Sequence, residues 1–388
     1  MTASPRHIPY VDLAAQYAEE RDELLPIIDR VMAAGQFVGG EPIEALERAL
    51  APICGAAHVV ALNSGTDALI LGMAALGIGA GDEVITPPNS FVASTAAIVA
   101  LGARPVFADV LDDQNIDPAA IAKVVTVRTK AIMPVHLTGR IPDMDAIAEI
   151  AARHDLKIVE DAAQAIGSRY RDRPSGSFGD AGCFSGHPLK NLNACGDAGF
   201  VTTNDAKVAA AIRLMRNHGL ADRNTVTRFG TVSRLDTLQA AILDFRLTKL
   251  AGIVERRRAN AARYRRLLDP QLVFLPAERQ HEFNTYHTLV VQVDRRDALQ
   301  AHLATLGVGT AIHYPIPIHL QPAAASLGHK RGDFPVTERQ AERILTLPIH
   351  PWLSADDIAF VCTTVNEFLG EQNRNAHGDD AVAVSRRA

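Results

Sequence analysis

Val59-Val60-Ala61-Leu62-Asn63-Ser64-Gly65-Thr66-Asp67 is the stretch on which the fold class turns. Four apolar residues without polar alternation read as a strand buried on both faces. Asn63-Ser64-Gly65 then turns the chain, and Thr66 opens a helical run. The same order recurs downstream. Strands are expected at 59–62, 83–86, 104–108, 131–135, 157–160, 182–185 and 199–203, with helices at 66–76, 90–101, 118–124 and 144–154. Apolar strands interleaved with helices predict an α/β domain: a mostly parallel seven-stranded sheet flanked by helices, with function at the carboxyl ends of the strands.

Beyond Asp205 the pattern turns helical. Leu238, Ala241, Ile242, Phe245 and Leu250 form an apolar stripe, and Gly252 is expected to kink or interrupt that helix. The run Glu255-Arg256-Arg257-Arg258, with Arg263, Arg265 and Arg266, winds around the next helix and reads as a solvated face rather than a phosphate grip. A strand at 288–293, a helix at 297–306 and an amphipathic helix at 355–369 predict a smaller C-terminal α/β domain. The boundary is placed near residue 250. Residues 1–250 then hold an N-terminal segment and the large domain, and 251–370 the small one; 371–388, lacking periodicity and large apolar residues, read as a disordered tail.

The 388 residues, 47% hydrophobic and 21% charged, suit a soluble two-domain chain with a substantial core. Thirty-nine basic against forty-four acidic residues give a net charge of −5, which argues against nucleic acid or an anionic membrane as the main partner. Cys54, Cys183, Cys195 and Cys362 form no CxxC or Cys/His cluster, so neither a disulfide framework nor a metal site is expected. Residues 1–10 lack the apolar core of a signal peptide, and no stretch approaches eighteen uninterrupted apolar residues. A cytoplasmic location is the simplest expectation.

The chain contains no GxxxxGK[ST], HExxH or GxSxG, and its Gly77-Ile78-Gly79-Ala80-Gly81 precedes a strand and reads as a turn. Four other segments carry residues suited to chemistry, each with a plainer reading beside it. Ser64-Gly65-Thr66 offers small residues and free N–H groups to an anion, or caps a helix. Glu160-Asp161-Ala162-Ala163-Gln164 places acids at a strand's carboxyl end, or caps the next helix with Asp161. Phe184-Ser185-Gly186-His187-Pro188-Leu189-Lys190-Asn191 sets a lysine among apolar neighbours, where desolvation makes an amine nucleophilic; surface lysines are far commoner. Ser233-Arg234-Leu235-Asp236 opens a capped helix, and His313-Tyr314-Pro315 and His350-Pro351 read as rigid turns with satisfied histidines.

Taken in order, these motifs resemble the DegT/DnrJ/EryC1/StrS family, pyridoxal-phosphate (PLP) sugar aminotransferases of the aspartate-aminotransferase fold. The resemblance runs from Tyr10-Val11-Asp12-Leu13 to about Leu369 and includes Pro134-Val135-His136-Leu137 and Arg216-Asn217-His218-Gly219. It implies that Lys190 forms the Schiff base with the PLP aldehyde, that Asp161 faces the pyridine nitrogen and that Gln164 bonds the phenolic oxygen. Phe91 would stack on the ring, while Gly65, Thr66 and Ser185 would hold the phosphate. Glutamate would be the amino donor and a keto-sugar the acceptor, in a homodimer with shared sites.

Two departures accompany the match. Val232 stands where the family usually carries an Asn that reaches the neighbouring subunit's cofactor phosphate, so either Thr231, Ser233 or another polar group is expected to compensate, or PLP to be held less tightly. Gly186-His187 stands where Phe or Tyr is commoner, which would widen the pocket. Lys190-Asn191-Leu192-Asn193-Ala194-Cys195-Gly196-Asp197 is similar to the version common among enzymes acting on 3-keto nucleotide sugars, implying amination at C-3. The alternatives are a PLP-dependent sugar dehydratase or deoxygenase, whose relatives replace the lysine by histidine, and a non-catalytic regulatory protein.

Overall fold

The structure, a computed structural model, describes residues 6–385, with side chains described as far as residue 371. Two helices, α1 (Leu13–Ala34) and α2 (Glu41–Cys54), lead into the main sheet. Its strands are β1 (His58–Leu62), β2 (Glu83–Thr86), β3 (Arg104–Phe107), β4 (Thr129–Ile132), β5 (Lys157–Asp161), β6 (Ala181–Ser185) and β7 (Gly199–Thr203). Their order is β1-β7-β6-β5-β4-β2-β3. Six strands run parallel, and β7 lies antiparallel to both its neighbours. The predicted seven-stranded, mostly parallel sheet is therefore observed.

Helices α3 (Gly65–Ala75), α4 (Val92–Ala100), α5 (Pro118–Val124), α6 (Met144–His154) and α7 (Ala206–Met215) cover the sheet. Short polar side chains start four of them: Ser64, Asp117, Asp143 and Asp205 each accept a backbone N–H of the first turn. Val60, Leu62, Val84, Met133 and Val159 pack against α3 on one face, while Ile85, Ile132, Ile147 and Ile158 fill the other. Burial on both faces explains why these strands show no alternation in sequence.

Downstream lie α8 (Thr237–Leu247), α9 (Leu250–Leu267), β8 (Leu289–Gln292), α10 (Arg296–Thr305), α11 (Pro335–Arg343), β9 (Ile344–Leu347) and α12 (Ala355–Ser385). β8 pairs antiparallel with β9, and Leu289, Val291, Leu299, Leu345, Leu347 and Ile358 form a separate apolar cluster around them. Ile8 joins that cluster, its backbone exchanging hydrogen bonds with Gly307 and Gly309. The expected terminal tail lies, from residue 372 on, outside the residues whose side chains are described.

Two expectations are corrected. Gly252 does not interrupt a helix; it sits inside α9, and the break falls at Thr248-Lys249. There the Thr248 hydroxyl donates to the Phe245 carbonyl, and the two backbone N–H groups turn back to residues 245 and 246. The arginine run is more than a solvated face. Arg257 is buried and donates to the carbonyls of Tyr286 and His287, while Arg258 holds Glu278 and the Asn284 carbonyl. Arg256 pairs with Glu19 on α1.

Candidate active site

The carboxyl ends of β1, β5 and β6 open onto one cavity of about 320 Å³. Gly65, Thr66, Phe91, Asp161, Gln164, Ser185 and Lys190 all line it, so the structure brings every sequence-predicted site residue together. A wider groove of about 650 Å³ lies near the opposite ends of β5 and β6, but its ionic groups include the surface pair Lys157–Asp180. Open α/β sheets bind ligands at the carboxyl ends, and the smaller cavity is the one that gathers groups with chemistry to do.

Lys190 follows β6 in a tight turn, its N–H donating to the His187 carbonyl at 2.8 Å. Asn191 anchors the turn by donating to the Thr285 carbonyl. Burial pushes the Lys190 amine from 10.5 down to about 8, and the Asp161 carboxylate pulls it partly back up. A small but useful fraction of the amine is therefore neutral near pH 7.

Pleating separates the two acids at the end of β5. Glu160 points away from the cavity and accepts from His136 Nε2 and the N–H groups of Gly176, Phe178 and Gly179, so its work is structural. Asp161 points in. Its Oδ2 accepts from Ser94 Oγ at 2.7 Å and its Oδ1 from the Ala163 N–H at 3.2 Å. Its peptide is fixed at both ends, donating to the Pro134 carbonyl and accepting from the His136 N–H.

Gln164 Oε1 accepts from the Thr138 N–H at 2.7 Å. That bond assigns the amide orientation and leaves Nε2 as a donor toward the cavity. Phe91 caps α4 with its ring more than half exposed and 5.7 Å from the Tyr314 ring. Gly65 begins α3, whose first-turn N–H groups lack intrahelical acceptors. A Cβ on Gly65 would stand 2.7 Å from Ser185 Cβ, so no larger residue fits this approach of α3 to β6. Gly186, by contrast, is buried, and a Cβ there would meet Ala198 at 2.9 Å, so it does not widen the cavity. His187 does line it.

The far wall is built from residues that read in sequence as structural or carry no motif. His287, His313 and Tyr314 also line the cavity. His313, read as a satisfied turn histidine, is bonded through Nδ1 to Thr346 Oγ1 at 2.8 Å, yet its ring still faces the site. Burial, then Lys190, lowers it to about 4, and the same causes with Arg257 hold His287 well below its ordinary value. Both imidazoles are neutral at pH 7. Burial raises the Tyr314 phenol, keeping it protonated. The one signal for this wall was the proline-bounded His313-Tyr314 pair; His287 lies in an ordinary strand approach.

The arm after α7 departs from expectation at one point. Ser233 is buried and its hydroxyl donates to Asn63 Oδ1, so it is not free to replace the Asn missing at Val232; Thr231 remains exposed. These residues fit PLP on their own geometry: an amine of lowered pKa, a buried carboxylate, an amide whose NH2 faces the cavity, an exposed aromatic face and a helix start that only glycine permits.

The DegT/DnrJ/EryC1/StrS aminotransferase family matches residues 18–366. A Streptomyces venezuelae dTDP-3-amino-3,4,6-trideoxy-alpha-D-glucose transaminase is 42% identical, over 94% of this chain and 97% of that protein. A Geobacillus stearothermophilus protein called a pleiotropic regulatory protein is 41% identical, over 93% and 98%. The crystal structure of S. venezuelae DesV superposes with a TM-score of 0.92 at 42% identity, covering 94% of this chain and 99% of that one. NtdA from Bacillus subtilis, solved with bound cofactor PMP, gives 0.84 at 33% identity, covering 90% and 82%.

Proposed function

This chain belongs to the DegT/DnrJ/EryC1/StrS aminotransferase family, and from that premise we propose that it is a PLP-dependent aminotransferase acting at C-3 of a nucleotide-linked keto-hexose, with glutamate as donor. The observation that carries the reading is the pairing, in one cavity, of the Lys190 amine brought to about 8 with the inward carboxylate of Asp161. The name of the Streptomyces relative, a 3-amino sugar transaminase, supports the position of the new amine.

When bound, PLP supplies an electron sink for the carbon that loses its proton. Lys190 Nζ takes up that proton and returns it, a task suited to an amine whose pKa lies close to the working pH. Asp161 would hold positive charge at the ring nitrogen, and Gln164 Nε2 would donate to the phenolic oxygen. The N–H groups of Gly65 and Thr66, with the Ser185 hydroxyl, would receive the phosphate. Phe91 would cover one face of the ring. Neutral His287 and His313 offer hydrogen bonds to sugar hydroxyls without adding charge.

We infer a homodimer with shared sites, in which a second copy would supply what the cavity lacks. The donor's carboxylates need cations, and Lys190 is the sole Lys or Arg among the described residues lining it. The exposed arm at 221–232 carries Arg223 and Arg228, together with Val226, Val232 and a Phe229 that is 97% exposed. An apolar projection of this kind suits a second copy of the chain. The separate apolar cluster around β8 and β9 supports reading 1–250 and 251–370 as two domains. Among the described residues no helix is long and apolar enough to cross a membrane, and a cytoplasmic enzyme fits that.

The regulatory name of the Geobacillus relative favours a second reading, binding without turnover. A lysine, acid and amide all directed at one cavity argue for catalysis. Incubation with PLP, glutamate and a nucleotide-linked 3-keto-hexose should yield a product whose NMR spectrum carries the amine at C-3. An amine at C-4, or equal turnover of the free sugar, would refute the assignment.

A further inference from the structure

Ser94 lies in the first turn of α4, 1% exposed, and is not itself part of the cavity wall. Its hydroxyl stands 2.7 Å from Asp161 Oδ2 and 3.3 Å from the carbonyl of Phe91. Its backbone N–H also turns to that carbonyl. One hydroxyl has one proton. The shorter approach, to a charged acceptor, takes it, because charge-assisted hydrogen bonds are the stronger ones. The Oγ–H therefore donates to Asp161, while the helix cap that presents Phe91 rests against the same residue.

Asp161 has few other donors. Its remaining bond, from the Ala163 N–H to Oδ1, is long at 3.2 Å. A buried carboxylate that loses a donor is left with an unsatisfied oxygen and a less certain orientation. Ser94 thus acts on the cavity through two groups that face it, the acid and the aromatic cap. Resting on the reading of Asp161 above, we propose that Ser94 is a positioning residue. It holds the Asp161 carboxylate aimed at the cofactor's ring nitrogen, and it fixes the stacking face of Phe91 relative to that acid.

The test uses full-length protein loaded with PLP carrying ¹⁵N at the ring nitrogen. The unsubstituted protein should show a protonated nitrogen at pH 7.5. An unprotonated one would overturn the reading of Asp161 itself, and this proposal with it. In Ser94→Ala the resonance should move toward the unprotonated position, and the dissociation constant for PLP should rise by about 10-fold, the scale of one lost hydrogen bond to a charged group. Ser94→Thr, which keeps the hydroxyl, should restore both. Circular dichroism and melting of the apo-proteins check that the variants fold alike. A Ser94→Ala protein with the original ¹⁵N shift and affinity would overturn the proposal. So would a Ser94→Thr protein that folds normally yet matches Ser94→Ala.

Discussion

The near wall of the cavity, at the ends of β1, β5 and β6, and the far wall, from the segments bearing His287 and His313-Tyr314, differ in how they are built. The near wall is fixed by backbone. Asp161 sits on a strand whose peptide is bonded on both sides, and Gly65 starts a helix packed directly on Ser185. The far wall is fixed by side chains reaching from elsewhere: Arg257 to the carbonyls of Tyr286 and His287, Asn191 to that of Thr285, Thr346 to the ring of His313. A wall set by sheet and helix starts can hold a cofactor in one place. A wall set by replaceable side chains can be retuned for different sugars, and we read the two as cofactor side and substrate side.

If that division is right, substitutions should sort by wall. Lys190→Ala should reduce amination by roughly 10,000-fold, the upper range for a lost acid–base group, with folding intact. Asp161→Asn should follow, losing on the order of 100-fold in kcat in both half-reactions. His313→Asn should act differently, raising KM for the sugar by about 10-fold while sparing the glutamate half-reaction. Equal losses in both halves for His313→Asn would break the comparison. Gly65→Ala should weaken PLP binding by about 10-fold, since overpacking of 1–3 kcal/mol forces Ser185 aside; equilibrium titration of the apo-protein reads it.

The smallest effect is on stability against pH. The unfolded chain binds the Lys190 proton up to about pH 10.5, whereas the folded chain releases it near 8. Stability therefore rises with pH across that window, and below pH 8 the fold bears the full cost of a buried ammonium. Lys190→Met should raise the Tm of the apo-protein at pH 7, by an amount equivalent to roughly 1–3 kcal/mol, and the gain should vanish by pH 10.5. A lower Tm at pH 7 would contradict the burial of the amine. His313 works in the same sense at acid pH: lowered to about 4, it costs stability as pH falls from 6.5 toward that value.

The near wall was legible in sequence because its signals are local. A strand, a small-residue turn and a capped helix stand within nine residues at 59–67, and the seven strands of the sheet each announce themselves as apolar runs. The far wall was not. His287 has no motif around it, and its place depends on a buried arginine thirty residues earlier that reads in sequence as one more charge on a helix. The division of labour between Glu160 and Asp161 was also hidden, since both are acids at one strand end and only the pleat and the loop at 176–179 tell them apart. Ser94 hid for a related reason: its partner lies 67 residues away. The misplaced helix break shows the limit of reading glycine as punctuation, because the Thr248 hydroxyl ended the helix first.

The account rests on Lys190 as the residue that takes the cofactor, and borohydride reduction of the PLP-loaded protein tests this directly. Peptide mass spectrometry should find the pyridoxyl group on the peptide carrying Lys190, and prior treatment with glutamate should prevent the labelling. A pyridoxyl group on another lysine, or an unlabelled Lys190 in protein that has bound PLP, would contradict it.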